Sequence, residues 1–174
     1  NRVWDLVSSG RATWLRGNHE QALIDALSGR DAPHQIALAE MDTFHQLGEG
    51  LCQQWLERLI QLPLLYQAQG WCATHAGFTC GGEPDLSIRD GFWENYDGSL
   101  GRAVVGHTPR PTVERHKWIV LIDTGAVYGG ALSAFCPETD AVVQVHGASG
   151  AAALPHPDGP DSVASMLMRD RILC

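Results

Sequence analysis

Three short segments place ligand-type side chains directly after apolar runs. WLRGNHE carries Asn18 and His19, WCATHAG carries His75, and AVVGHTP carries His107. An amide oxygen with two neutral imidazoles forms a nitrogen-and-oxygen donor set that suits manganese, iron or zinc rather than calcium, which prefers oxygen alone. If each run is a strand, the turn after it delivers its side chain to a sheet's carboxyl edge, where open sheets gather their ligands. Three neutral donors are an incomplete set: a carboxylate is wanted to balance the ion's charge. A lone histidine is more often a surface or core residue than a ligand, so His34, His45, His116, His146 and His156 are read as such. Cys72 and Cys80, which flank His75, are read as bystander thiols.

The elements that must position these side chains follow from periodicity. NRVWDLVSSG places Val3, Trp4 and Val7 on one helical face and ends on a glycine suited to a C-cap. Residues 12–17 read as a short buried strand, and 19–29 as a helix stopped by glycine. Over 34–62 the apolar residues Leu51, Trp55, Leu59 and Leu62 recur at helical spacing, with Pro63 closing the run. This stretch reads as a helical insertion packed on a sheet. From Leu64 onward the pattern becomes extended: a hairpin turning near Gln69-Gly70, then strands over 102–107, 112–116, 118–125, 131–136 and 141–147. A weak helix is expected over 88–96. Helices lead and strands follow, which points to α+β layers with sheets inside and helices outside. Residues 147–174 read as a mobile tail, rich in small residues and proline, ending in a possible short helix on Val163, Met166, Leu167 and Ile172.

Composition bounds the function. With 174 residues, 44% apolar and 18% charged, the chain suits one domain with a sizeable core. A formal charge of −8 argues against a general nucleic-acid surface, which needs a basic patch. It leaves room for a phosphate substrate, because metal ions supply positive charge locally. No apolar run approaches the roughly 20 residues of a membrane span, and no secretory signal pattern is present in the sequence. Five cysteines without a C-x-x-C pair read as reduced thiols of a cytoplasmic protein. The sequence opens on Asn1 inside a helical pattern, so we expect further sequence before it.

The blocks LRGNHE, THAG, VVGHTP and IDTGAVYGG, in this order, resemble the later signature blocks of the calcineurin-like metallophosphoesterases. Within them the resemblance is to the bacterial branch of the phosphoprotein phosphatases, which includes the symmetrical diadenosine tetraphosphatases. It covers residues 3–146 in outline, and only the four blocks are specific. The resemblance implies a layered α+β fold, a metallophosphoesterase-type β-sandwich with flanking helices, here lacking its first strands. It implies that Asn18, His75 and His107 bind the second ion of a two-metal centre, with manganese expected and iron or zinc as alternatives. His19 falls on the family's general acid. An arginine between the last two histidine blocks holds the phosphate; Arg89 is the choice and Arg102 a weaker candidate. Pro109 stands where other branches of the superfamily place a further histidine.

The implied mechanism is direct hydrolysis, with metal-activated water attacking the phosphoryl group and His19 protonating the leaving oxygen. The family's upstream blocks, D-x-H and G-D-x-x-D-R-G, are absent from the sequence. The resemblance therefore implies at most one metal, weakly bound, and little hydrolysis by this chain. Three readings stay open: a phosphomonoester phosphatase, acting on serine or threonine phosphoproteins; a dinucleoside tetraphosphate hydrolase; and a truncated, non-catalytic binding protein. The matched blocks do not separate the first two.

Overall fold

Two apolar runs decide the architecture. In this computed structural model, which describes residues 2–29, 31–89 and 91–146, they become β5 (Arg102–Val105) and β7 (Ile119–Leu121). Ala103, Val105, Ile119 and Leu121 are at most 1% exposed, and Val104 and Val120 on the other face are buried too. Burial on both faces is what continuous apolar runs in parallel strands require, and β5 and β7 are indeed parallel. On the other side of β5 lies β2 (Trp71–Thr74), also parallel, and β1 (Leu65–Ala68) pairs antiparallel with β2 through the expected turn at Gly70. Beyond β7 the sheet ends on β6 (Glu114–Arg115), giving the order β1-β2-β5-β7-β6. Phe78, Phe92 and Cys72 complete the core of this sheet.

Two small hairpins flank it. β3 (Gly77–Phe78) pairs with β4 (Pro84–Asp85), and β8 (Ala131–Cys136) pairs with β9 (Ala141–His146). The second hairpin is tied to the main sheet by polar bonds: Trp71 Nε1 donates to Glu138 at 3.0 Å, and Asp140 receives Arg102 at 2.7 Å and Arg115 at 3.0 Å. Arg102 is thus engaged by the hairpin.

The helices precede the sheet, as the periodicity indicated: α1 (Arg2–Ser8), α2 (Asn18–Ser28), α3 (Ala32–Ala39), α4 (Asp42–Leu47) and α5 (Glu49–Ile60). Residues 34–62 are mostly helical, and their buried side chains pack chiefly on α2. Leu38, Cys52, Leu59 and Leu62 bury against Leu23, Ile24 and Ala26 of α2, in a core of their own. The reason is the α2 stripe, which offers the complementary apolar face closest along the chain. Of α1's expected face only part is used: Trp4 packs edge-to-face on Trp55, with ring centroids 4.8 Å apart, while Val3 is exposed.

Two further expectations change. Residues 12–17 join no ladder, and only Gly17 among them is buried; the Arg16 N–H reaches Pro63 O at 2.9 Å, and its guanidinium bonds Gln21 and the carbonyls of Ile60 and Leu62. The end of α5 thereby takes the place of a neighbouring strand. The helix expected over 88–96 is only α6 (Phe92–Asn95). Upstream, the Asp85 carboxylate accepts the Ser87 and Ile88 N–H groups, holding that backbone in a turn. The tail and its possible helix lie outside the described residues. Among the described residues no helix is long and apolar enough to cross a membrane.

Candidate metal centre

His75 follows β2 and His107 follows the Val105-Gly106 end of β5. Because these strands are parallel neighbours in register, Thr74 opposite Val105, the two histidines emerge side by side at the same sheet edge. The Gly106 N–H donates to His75 O at 2.8 Å, locking the two turns together. His107 itself has φ +67, and the Thr108 N–H bonds back to Gly106 O at 2.8 Å across it, forming a γ-turn of the strained, positive-φ kind. Such strain in a non-glycine residue persists only where surrounding structure enforces it, commonly at functional sites.

Asn18 reaches the same place from another layer. It is the first residue of α2, whose start is fixed by the Glu20 carboxylate, which accepts the Gly17 N–H at 2.7 Å. Gly17 must lack a side chain here: a Cβ would sit 2.8 Å from Glu20 Oε2 and 3.0 Å from the His75 ring. With the turn so close, His75 Nε2 lies 2.8 Å from Asn18 Oδ1 and 3.1 Å from His107 Nδ1. His75 Nε2 therefore has an atom of each of the other two side chains within hydrogen-bonding distance.

The electrostatics suit an ion. Burial lowers the pKa of both imidazoles: His75 falls below its ordinary value, with the Glu20 charge pulling the other way, and His107 drops to about 3, helped by the Arg89 cation and by His75. Both rings are therefore neutral at pH 7, as metal ligands must be. His107 Nε2 is buried without a well-formed hydrogen bond, although the Ser87 backbone interacts with the ring. Ligands at about 2.1 Å from a common ion, at right angles to one another, stand about 3 Å apart. The two donor separations match that spacing, so the residues fit a single divalent ion. Among the described residues no group of three or more His, Cys, Asp or Glu side chains could hold a metal, and the trio here reaches three only by counting the Asn18 amide.

The remaining expected residues fall nearby. Arg89 is exposed and outside any helix, and its guanidinium donates to His107 O at 3.3 Å. His19, next to Asn18, is exposed and lines a cavity at the head of α2. The other described histidines are elsewhere: His34 contacts Asp31, His45 bonds Ala39 O, His116 stacks on Trp93, and His146 ends β9. His156 lies outside the described residues. Cys72 is buried in the sheet core. Two carboxylates matter that the spacing did not single out: the charges of Glu20 and Asp123 both act on His75. Asp123 could have been found, since IDTG repeats the pattern of a polar group after an apolar strand, here β7.

No protein-family model matches this chain, and no curated protein matches it. Among solved structures, one described as a "putative diadenosine tetraphosphatase" superposes with a TM-score of 0.63 at 18% sequence identity, over 84% of this chain and 73% of that one. At that identity the likeness speaks for the fold alone, and it agrees with the layers described above: this chain has a mixed α+β architecture shared with that structure.

Proposed function

We propose that this protein is a metal-dependent phosphoesterase whose described residues form the binding site for one divalent ion and the phosphoryl group beside it. The observation that carries this reading is the convergence of Asn18 Oδ1, His75 Nε2 and His107 Nδ1 from two layers of the fold. A bound divalent ion, with manganese our first choice, would polarise the phosphoryl oxygens and lower the pKa of a coordinated water. Arg89, anchored against the His107 carbonyl, offers a guanidinium fork to those oxygens. His19, adjacent to Asn18 and exposed, is our choice for the group that hands a proton to the leaving oxygen. Burial keeps His75 and His107 deprotonated, so the ion displaces no proton from either.

The main reading of the substrate is a phosphate monoester, such as a phosphorylated serine or threonine of a protein. A dinucleoside tetraphosphate is supported about as well, because the fold is shared with a structure described as a diadenosine tetraphosphatase. With two imidazoles and one amide as the only proposed donors, we expect at most one ion, weakly bound, and little turnover. Calorimetric titration of orthophosphate with and without manganese tests the reading. Orthophosphate binding should require manganese and disappear in His107→Ala; an affinity indifferent to the metal would sink the proposal. Displacing the bound orthophosphate with a phosphoserine peptide or with diadenosine tetraphosphate then separates the two substrates.

A further inference from the structure

Beside the metal centre, at the head of α2, lies a cavity of about 320 Å³. Its walls include the indoles of Trp4, Trp14 and Trp55 with Leu51 of α5, and His19 and Glu20 contribute polar groups. Its volume is that of a small-ligand site, and its composition, apolar walls with a few polar groups, is typical of one. The indoles are already aligned: Trp4 and Trp55 meet edge-to-face at 4.8 Å, and Trp14 stands 6.2 Å from Trp55. Arg58 stacks over both Trp4 and Trp55, at 4.9 and 5.0 Å, and holds their orientation without lining the cavity.

His19 is what connects this cavity to the chemistry. It lines the cavity while its sequence neighbour Asn18 is a donor at the metal centre. A group that protonates the leaving oxygen must touch that oxygen, so the substituent carried by the oxygen extends past His19 into the indole-lined space. We infer that this cavity is the leaving-group subsite and that it takes a planar aromatic ring, a nucleobase or an aryl group, against the tryptophan faces. Ring-on-indole contact supplies the affinity, and offset or edge-on packing is the geometry such pairs prefer. The inference rests on the phosphoesterase reading above, since it uses His19 as the proton donor.

Adenosine, which carries the ring without any phosphate, is the probe. Titrated into the whole chain while tryptophan fluorescence is followed, it should quench the emission saturably. Leu51→Lys, at a position 39% exposed and therefore tolerant of the change, puts a charge at the cavity wall. It should weaken adenosine about tenfold or more while circular dichroism stays that of the wild type. Thr43→Trp, which narrows the same space with a neutral side chain, should weaken it as well. The inference is overturned if adenosine fails to quench, or if quenching survives both substitutions. A parallel cobalt titration keeps the two ideas apart. Cobalt bound at the donors with adenosine ignored removes the subsite alone, whereas cobalt not bound removes the phosphoesterase reading and the leaving-group role with it.

Discussion

The sheet and the helical layer bury their apolar side chains in different ways, and each supplies one part of the site. In the sheet, Ile119, Leu121, Val105 and Cys72 are sealed almost completely by parallel neighbours in register. In the helical layer Leu59 and Cys52 are buried, but Leu51 and Leu47 are substantially exposed, and three indoles border an open cavity. Close-packed interiors hold side chains to fixed positions, and loose ones let them adapt. His75 and His107 hang from the tight region, whereas Asn18 and His19 belong to the looser one. The arrangement teaches that the imidazole pair is preset and that the amide and the proton donor depend on how the helical layer sits.

Breaking the tight region should cost most. Ile119→Ala removes a side chain that is 0% exposed and is expected to lose about 2–5 kcal/mol in urea unfolding. Leu51→Ala, in the loose region, should cost less than about 1 kcal/mol. Equal losses would erase the contrast. At the junction, His107→Ala should weaken manganese by more than the 10- to 100-fold range of an outer partner, about a hundredfold or beyond by calorimetry. A loss below about tenfold would mean that the ring does not ligate. Arg89→Ala should weaken orthophosphate about tenfold in the manganese-loaded protein and leave manganese itself unchanged. A fall in both would assign Arg89 to holding the His107 turn.

The smallest effect concerns Tyr96, in the sheet region. Burial, with Cys72 alongside, pushes its phenol up to about 12; its O–H donates to Gly101 O at 3.0 Å and its ring stacks on Phe78. A phenol raised in the folded state favours the neutral form, so its contribution to stability is intact below the ordinary pKa near 10 and is lost as pH rises toward about 12. Ultraviolet titration should show a late step from Tyr96, at about 12 rather than at the ordinary phenol value near 10. Loss of the late step in Tyr96→Phe would confirm the assignment, and an unchanged curve would contradict it.

Much of this was readable in the sequence, for physical reasons. The strand runs of β1, β2, β5, β7, β8 and β9 were legible because apolar runs bounded by glycine turns have few other solutions, whereas the short β3 and β4 gave no such signal; the GNHE, THAG and GHTP blocks marked the side chains that meet at the sheet edge. Residues 12–17 misled because an extended apolar segment reads like a strand whether or not a partner pairs with it, and here Arg16 bonds α5 instead. The packing of 34–62 on α2 was hidden because periodicity gives a helix its face but not its partner. Glu20 reads from sequence as serving the helix N-terminus, and there it bonds the Gly17 N–H; Asp123 was missed because its influence on His75 depends on distance in space. The Trp4–Trp14–Trp55 cavity joins residues from three segments, which no local pattern reveals.

The central claim is that Asn18, His75 and His107 hold one divalent ion together. Cobalt, which reports its ligands through visible absorption bands, should be titrated into the wild-type chain and into Asn18→Ala, His75→Ala and His107→Ala. The account predicts bands that saturate at one equivalent in the wild type and are weakened or displaced in all three variants. Bands that never form, or that persist unchanged when any one of the three side chains is removed, would contradict it.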